Sequence, residues 1–164
     1  MSVPRLAVTR EPLAVESLVA LLEGDARNAG EGCGAVCTFL GVVRATHGGR
    51  RVRYLEYEAF EPLALKAFAQ IADEIRDAWP QALVAMHHRV GRLDVGQPSV
   101  AVVAAAAHRA ESFEVCRYAI ERVKQIAPIW KHEFFEDGDA WVEGAVAAPG
   151  DEQARREARA RACV

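Results

Sequence analysis

Apolar residues recur along this chain with two different spacings, and the switches between them mark the elements. Leu13, Leu18, Val19, Leu21 and Leu22 lie on one helical stripe, which Gly24 is expected to end. Residues 24–34, with four glycines, Asp25 and Asn28, read as a loop. Residues 5–8 alternate weakly and suggest a short strand. Two stronger strand signals follow, GAVCTFLGVV over 34–43 and VRYLEYEAF over 52–60. In the second, Val52, Tyr54, Glu56 and Glu58 fall on one face and Arg53, Leu55, Tyr57 and Ala59 on the other. The glycine-containing basic stretch between them, RATHGGRR over 44–51, predicts a hairpin joining the two.

The pattern then returns to the helical period. Glu61 and Pro62 open a helix whose apolar face carries Leu65, Phe68, Ile71, Ile75 and Trp79, and Pro80 ends it. Residues 82–90 and 98–107 read as two more strands, joined through residues 91–96. Residues 111–127 form the last long helix, with Phe113, Cys116, Ile120, Val123 and Ala127 inward and Glu111 suited to its N-terminal dipole. Residues 129–135 and 140–142 finish the sheet around a turn at Asp137 and Gly138. Helices mixed with hairpin-linked strands make the class α+β, with a mixed, largely antiparallel sheet. Residues 1–144 form one domain. Residues 145–164 are rich in alanine, arginine and glutamate and are expected to be a flexible tail or frayed helix.

A length of 164 residues suits a single domain with a real core. The net charge of -3 argues against a nucleic-acid partner while leaving room for a local basic pocket. No apolar run approaches the length of a membrane span, and no secretory leader is apparent, so a cytoplasmic protein is expected. The four cysteines lack metal or redox spacing; Cys116 falls on the apolar stripe of a helix. Nucleotide-binding glycine loops and the G-x-S-x-G elbow are absent. His87 and His88 lie in a strand without carboxylate or thiol ligands in register, so no metal site is expected.

The most informative stretch is VKQIAPIWKHE, residues 123–133. It places Lys124 at the end of a helix, breaks the helix at Pro128, and places Lys131 in the strand that follows. Two ammonium groups so placed can converge on one anion and lower one another's proton affinity, as proton-transfer chemistry needs. His108 and Arg109 follow a strand and precede a helix; they suit either an anion cradle or an ordinary strand end with a solvated arginine. Arg44, His47, Arg50 and Arg51 cluster in the basic loop, as phosphate ligands or as a charged hairpin tip. On the last strand Trp130, His132 and Phe134 share one side and Lys131 and Glu133 the other, which makes His132 a packed residue.

Six ordered motifs resemble the family of molybdopterin synthase catalytic (large) subunits. They are GAVCTFLGVVR (34–44), GRRVRYLEYEAF (49–60), HRVGRLDVG (88–96), His108 with Arg109, FEVCRYAI (113–120), and KQIAPIWKHE (124–133) with FEDG (135–138). They span roughly residues 5–144; the tail lies outside, and Phe60 stands where the family often has tyrosine. The resemblance implies an α/β hammerhead-like α+β fold. It implies transfer of two sulfurs to cyclic pyranopterin monophosphate (precursor Z), giving the dithiolene of molybdopterin, with no cofactor. The sulfur donor it implies is the C-terminal Gly-Gly thiocarboxylate of a small ubiquitin-like subunit. The implied assembly is a homodimer of large subunits inside a heterotetramer. Carried over by motif position, Lys124 and Lys131 are the catalytic pair, and Phe39, Arg44, His108 and Arg109 are substrate-pocket residues. The competing reading is a non-catalytic anion-binding or scaffold module for a ubiquitin-like partner.

Overall fold

A computed structural model describes residues 3–30, 32–142 and 144–163; Glu31 in the expected loop and Val164 at the end of the expected tail lie outside them. The first sheet has the order β1 (Leu6–Thr9), β5 (Leu83–Arg89), β7 (Pro98–Ala106), β2 (Ala35–Val42). β1 runs parallel to β5, and the other pairs are antiparallel. Both faces are covered, which is why β7 is apolar almost without alternation. On one face lies α1 (Val15–Asn28), whose Leu18 and Leu22 pack against Ala85, Ala101, Val103 and Ala105. On the other lie α2 (Glu61–Ala78) and α3 (Arg109–Ile126), with Phe68, Ile71, Val115 and Val123 against Met86, Val100 and Val102. α1 continues through Gly24 to Asn28 rather than ending there. A helical glycine costs about 1 kcal/mol. Burial of Leu18, Leu22 and Ala26 offsets that, at about 1.5–3 kcal/mol for each leucine.

The second sheet holds β3 (Thr46–His47), β4 (Arg50–Ala59), β8 (Ile129–Phe135) and β9 (Gly138–Val142), with β6 (Gly91–Asp94) also against β4. The expected hairpin between the two early strands does not form. β2 pairs with β7 in the first sheet, and the hairpin is instead β3–β4, turned by Gly48 and Gly49 at φ 56° and 78°. The alternation of β4 also breaks. A register shift between Val52 and Tyr54 reverses the strand's parity, so Val52 and Leu55 both enter a small core with Val43, Leu93 and Phe135. β6 is absent from the sequence reading, because residues 91–96 look like a connection.

Residues beyond 144 depart most from expectation. Where a solvated extension is expected, α4 (Glu152–Ala162) packs on α3. Asp151 caps it, accepting from the amides of Gln153 and Ala154 at 2.9 and 3.0 Å. Ala154, Ala158 and Ala162, four residues apart, are buried. The amides of Val146 and Ala147 both donate to the Gln125 carbonyl, and Gln125 Nε2 donates to Ala154 O. Beneath this lies Arg122, fully enclosed, its guanidinium paired with Glu74 at 2.7 and 2.8 Å. Tyr118 and Gln70 also donate to Glu74. Burial raises the carboxyl's pKa, but these donors outweigh it and hold Glu74 below the usual range.

Candidate active site

The two sheets meet at a cleft of about 370 Å³. Its walls come from the end of β2, the middle of β4, His88 of β5, the C-terminal turn of α3 and the start of β8. Proline dictates the local geometry. Ala127, the residue before Pro128, leaves the helix at φ -74° and ψ 124°, and β8 starts two residues later. Lys124 from the last turn of α3 and Lys131 from β8 therefore face the same space, and both line the cleft with Phe39 and Arg44.

The protein surrounding the Lys124 ammonium deprives it of water, and the Lys131 charge adds to this. Arg44 acts in the same sense and Glu121 opposes it, with the result that the Lys124 pKa lies below that of an ordinary lysine. The side chain as a whole stays open to solvent at the cleft, where a ligand can reach it. Lys131 is steadied differently. Its ammonium lies 2.6 Å from one carboxylate oxygen of Glu133, and the other oxygen is 2.5 Å from His47 Nδ1. Glu133 is buried. Burial alone would raise its pKa, but the hydrogen bonds and charges of Lys131 and His47 hold it below the carboxylate range.

His88 forms part of the inner wall. Its Nδ1 is 2.7 Å from the carbonyl oxygen of Arg89, and Tyr57 meets its ring edge-on with centroids 5.0 Å apart. Burial, with the nearby Lys124 charge, lowers the His88 pKa to about 4 against the helping hydrogen bond to Arg89, so the ring is neutral at physiological pH.

Four of the six expected site residues, Lys124, Lys131, Phe39 and Arg44, thus share one cleft. His108 and Arg109 do not. They are exposed at the N-terminal end of α3 and are not among the residues lining the cleft. Lys124 lies fifteen helical steps beyond Arg109, a span of about 22 Å. The basic loop also divides. Arg44 and His47 line the cleft, whereas Arg50 pairs with Asp137 at 2.8 Å and lies over the Phe135 ring. Glu133 and His88 were not singled out by sequence. For Glu133 a signal existed, since it shares a strand face with Lys131; for His88 the sequence offered only its place in a strand.

Residues 8–126 match the MoaE protein family. A molybdopterin synthase catalytic subunit from Nostoc sp. is 48% identical over 138 residues, covering 83% of this chain and 80% of the relative. One from Halalkalibacterium halodurans is 42% identical over 142 residues, 87% of each chain. The crystal structure of molybdopterin synthase from Staphylococcus aureus superposes with a TM-score of 0.79 at 36% identity, covering 85% of this chain and 98% of that one. A complex of subunits 1 and 2 of molybdopterin-converting factor from Helicobacter pylori shares the fold, with a TM-score of 0.70 at 23% identity. With the family matched over most of its length and relatives this close, the chain belongs to the MoaE protein family.

Proposed function

We propose that this chain is the catalytic subunit of a molybdopterin synthase. It moves two sulfurs from the C-terminal thiocarboxylate of a small ubiquitin-like subunit onto cyclic pyranopterin monophosphate, forming the dithiolene of molybdopterin. The observation that carries this is the convergence of Lys124, Lys131 and Arg44 on one cleft. Both reactants are anions, and cations fixed in place before they arrive stabilise the charge that develops between them. Replacing a carbon-bound oxygen with sulfur requires a proton for the departing oxygen. Lys124, whose pKa lies below that of an ordinary lysine, is the group placed to give and recover that proton. Lys131, held by Glu133, supplies a charge of defined position. Phe39 offers an aromatic wall to the pterin.

His108 and Arg109 enter this reading through a second copy of the chain. One protomer's α3 is too long for them to serve its own cleft, so as phosphate ligands they act across a homodimer. Mixing an Arg109→Ala chain with a Lys124→Ala chain tests this: activity restored in the mixture places Arg109 in the partner's site, and a dead mixture removes it from the chemistry.

The decisive assay combines the purified chain, the thiocarboxylated small subunit and precursor Z, and measures molybdopterin. Absence of product from the wild type would overturn the proposal. Lys131→Arg, if fully active, would favour a module that only binds the anions, since arginine keeps the charge but not the exchangeable proton.

A further inference from the structure

The charged side chains of the cleft are almost all hydrogen-bond donors. Lys124, Lys131 and Arg44 cannot accept a hydrogen bond. The one carboxylate, Glu133, already receives Lys131 and His47. The Ser99 hydroxyl donates to Gly41 O. A pterin presents an edge of N–H donors as well as acceptors, and the charged groups cannot meet those donors; the hydroxyls of Thr46, Tyr57 and Ser99 can accept, but a hydroxyl turns and sets no single direction.

His88 breaks this pattern. The carbonyl of Arg89 can only accept, so Nδ1, 2.7 Å away, carries the ring's proton. In the neutral ring Nε2 then holds a free lone pair. Among the described residues Nε2 has no hydrogen-bond partner, and the only fully enclosed side-chain nitrogen or oxygen without one is Arg89 Nε. Nε2 is therefore open, and because His88 is a buried wall of the cleft, it opens there. Tyr57 and the Arg89 carbonyl fix the ring plane, so the lone pair has one direction.

We propose that His88 Nε2 accepts a hydrogen bond from a ring N–H of the pterin and so sets which edge of the substrate faces the lysine pair. This rests on the functional reading above and adds a substrate-binding and specificity role for His88. The phosphate is held by cations; the heterocycle is oriented by this neutral acceptor of fixed direction.

Two measurements on the full-length chain test it. In calorimetry with precursor Z, His88→Asn keeps a side-chain N–H for the Arg89 carbonyl but removes the deeper acceptor. Its affinity should fall roughly 10- to 100-fold, the cost of an unmatched buried donor. KM should rise in step and kcat should fall, because bound substrate is misoriented toward the lysine pair, while small-subunit affinity stays near wild type. His88→Gln, whose amide oxygen reaches further, should recover part of the loss. The second measurement needs no substitution. In protein labelled with nitrogen-15 histidine, the unprotonated Nε2 resonance of His88 should move upfield when precursor Z is added, with the protonated Nδ1 resonance little changed. Wild-type affinity in His88→Asn, or a still Nε2 resonance under saturating precursor, would overturn the role of His88. Failure of the wild type itself to bind precursor would instead overturn the functional reading beneath it.

Discussion

Replacing Glu133 by glutamine keeps the shape of the side chain and removes its charge, which makes it the sharpest probe of how the cleft is held. The carboxylate accepts from Lys131 and His47 at 2.6 and 2.5 Å and is itself only 3% exposed. Each charge-assisted bond of this kind contributes about 1.5–3 kcal/mol when shielded. Lys131 and His47 retain 23% and 43% of their side-chain exposure, so water replaces part of the loss. The net cost should be about 2 kcal/mol, a fall in Tm of about 4–8 °C for a chain of this size. Turnover should fall further, about 10- to 100-fold, because Lys131 loses the partner that fixes its position. The pH dependence supplies a second check. Because the folded-state pKa of Glu133 lies below the ordinary value of 4.5, its stabilisation is fully present above that value. It is lost as pH falls through the folded pKa. The stability gap between wild type and Glu133→Gln should therefore hold steady from about pH 7 to 5 and shrink below that. Thermal melts across pH, with turnover at saturating thiocarboxylated partner, decide the matter. An unchanged Tm and turnover at neutral pH, or a gap that widens on acidification, would refute the reasoning.

Lys124→Ala should cut turnover by about 10²–10⁴-fold, as loss of a positioned acid–base group does. Lys124→Met should be more stable than wild type at neutral pH, because the fold disfavours the charged amine; the gap should close as pH rises toward 10.5, where the unfolded chain also loses its proton. Ending the chain at Gly150 removes α4 and should lower Tm measurably, since Ala154, Ala158 and Ala162 leave a packed face and Gln125 loses its acceptor; an unchanged melt would return the segment to the status of an extension. Glu74→Leu should cost about 3–5 kcal/mol by stranding the enclosed Arg122 charge, and adding Arg122→Met should recover most of it, with chemical denaturation as the readout. Converting all four cysteines to alanine should leave sulfur transfer intact after correction for the packing lost at Cys116.

The elements were legible where their signal is local. α2, α3, β5, β7 and β8 each carry an uninterrupted period, and the structure places them within a few residues of expectation. Pairing was less legible, because it depends on partners distant in sequence. β2 and β4 are neighbours in the chain, yet they belong to different sheets, since β2 finds β7 and β4 finds β8. The bulge near Arg53 is invisible to alternation, because one inserted residue reverses the faces without changing composition. α4 was missed for a different reason. Its buried face is alanine, which adds little to a hydrophobic count, and its stability comes from close approach to α3 and from Asp151, Gln125 and Arg161.

The same distinction applies within the cleft. Lys124 and Lys131 are seven residues apart with a proline between them, so covalent geometry alone nearly fixes their relation, and sequence exposes it. Glu133 is fixed relative to Lys131 by strand parity, one step less direct. His47 reaches Glu133 from 86 residues away, across the β3–β4 hairpin, and only the folded second sheet brings them together. His88 needs more still. Its value to the site depends on the tautomer, which the Arg89 carbonyl sets, and on neutrality, which burial and the Lys124 charge enforce. A histidine in a strand becomes a directed acceptor only when the backbone behind it and the cation beside it are both in place. His108 and Arg109 stand one level further out, since on the geometry of α3 the role proposed for them requires a second chain. Each added level of folding thus reveals a residue that the level below left neutral. On the proposed reading, the lysine pair belongs to the local chain, its support to the sheet, the substrate's orientation to the packed core, and the phosphate contacts to a dimer.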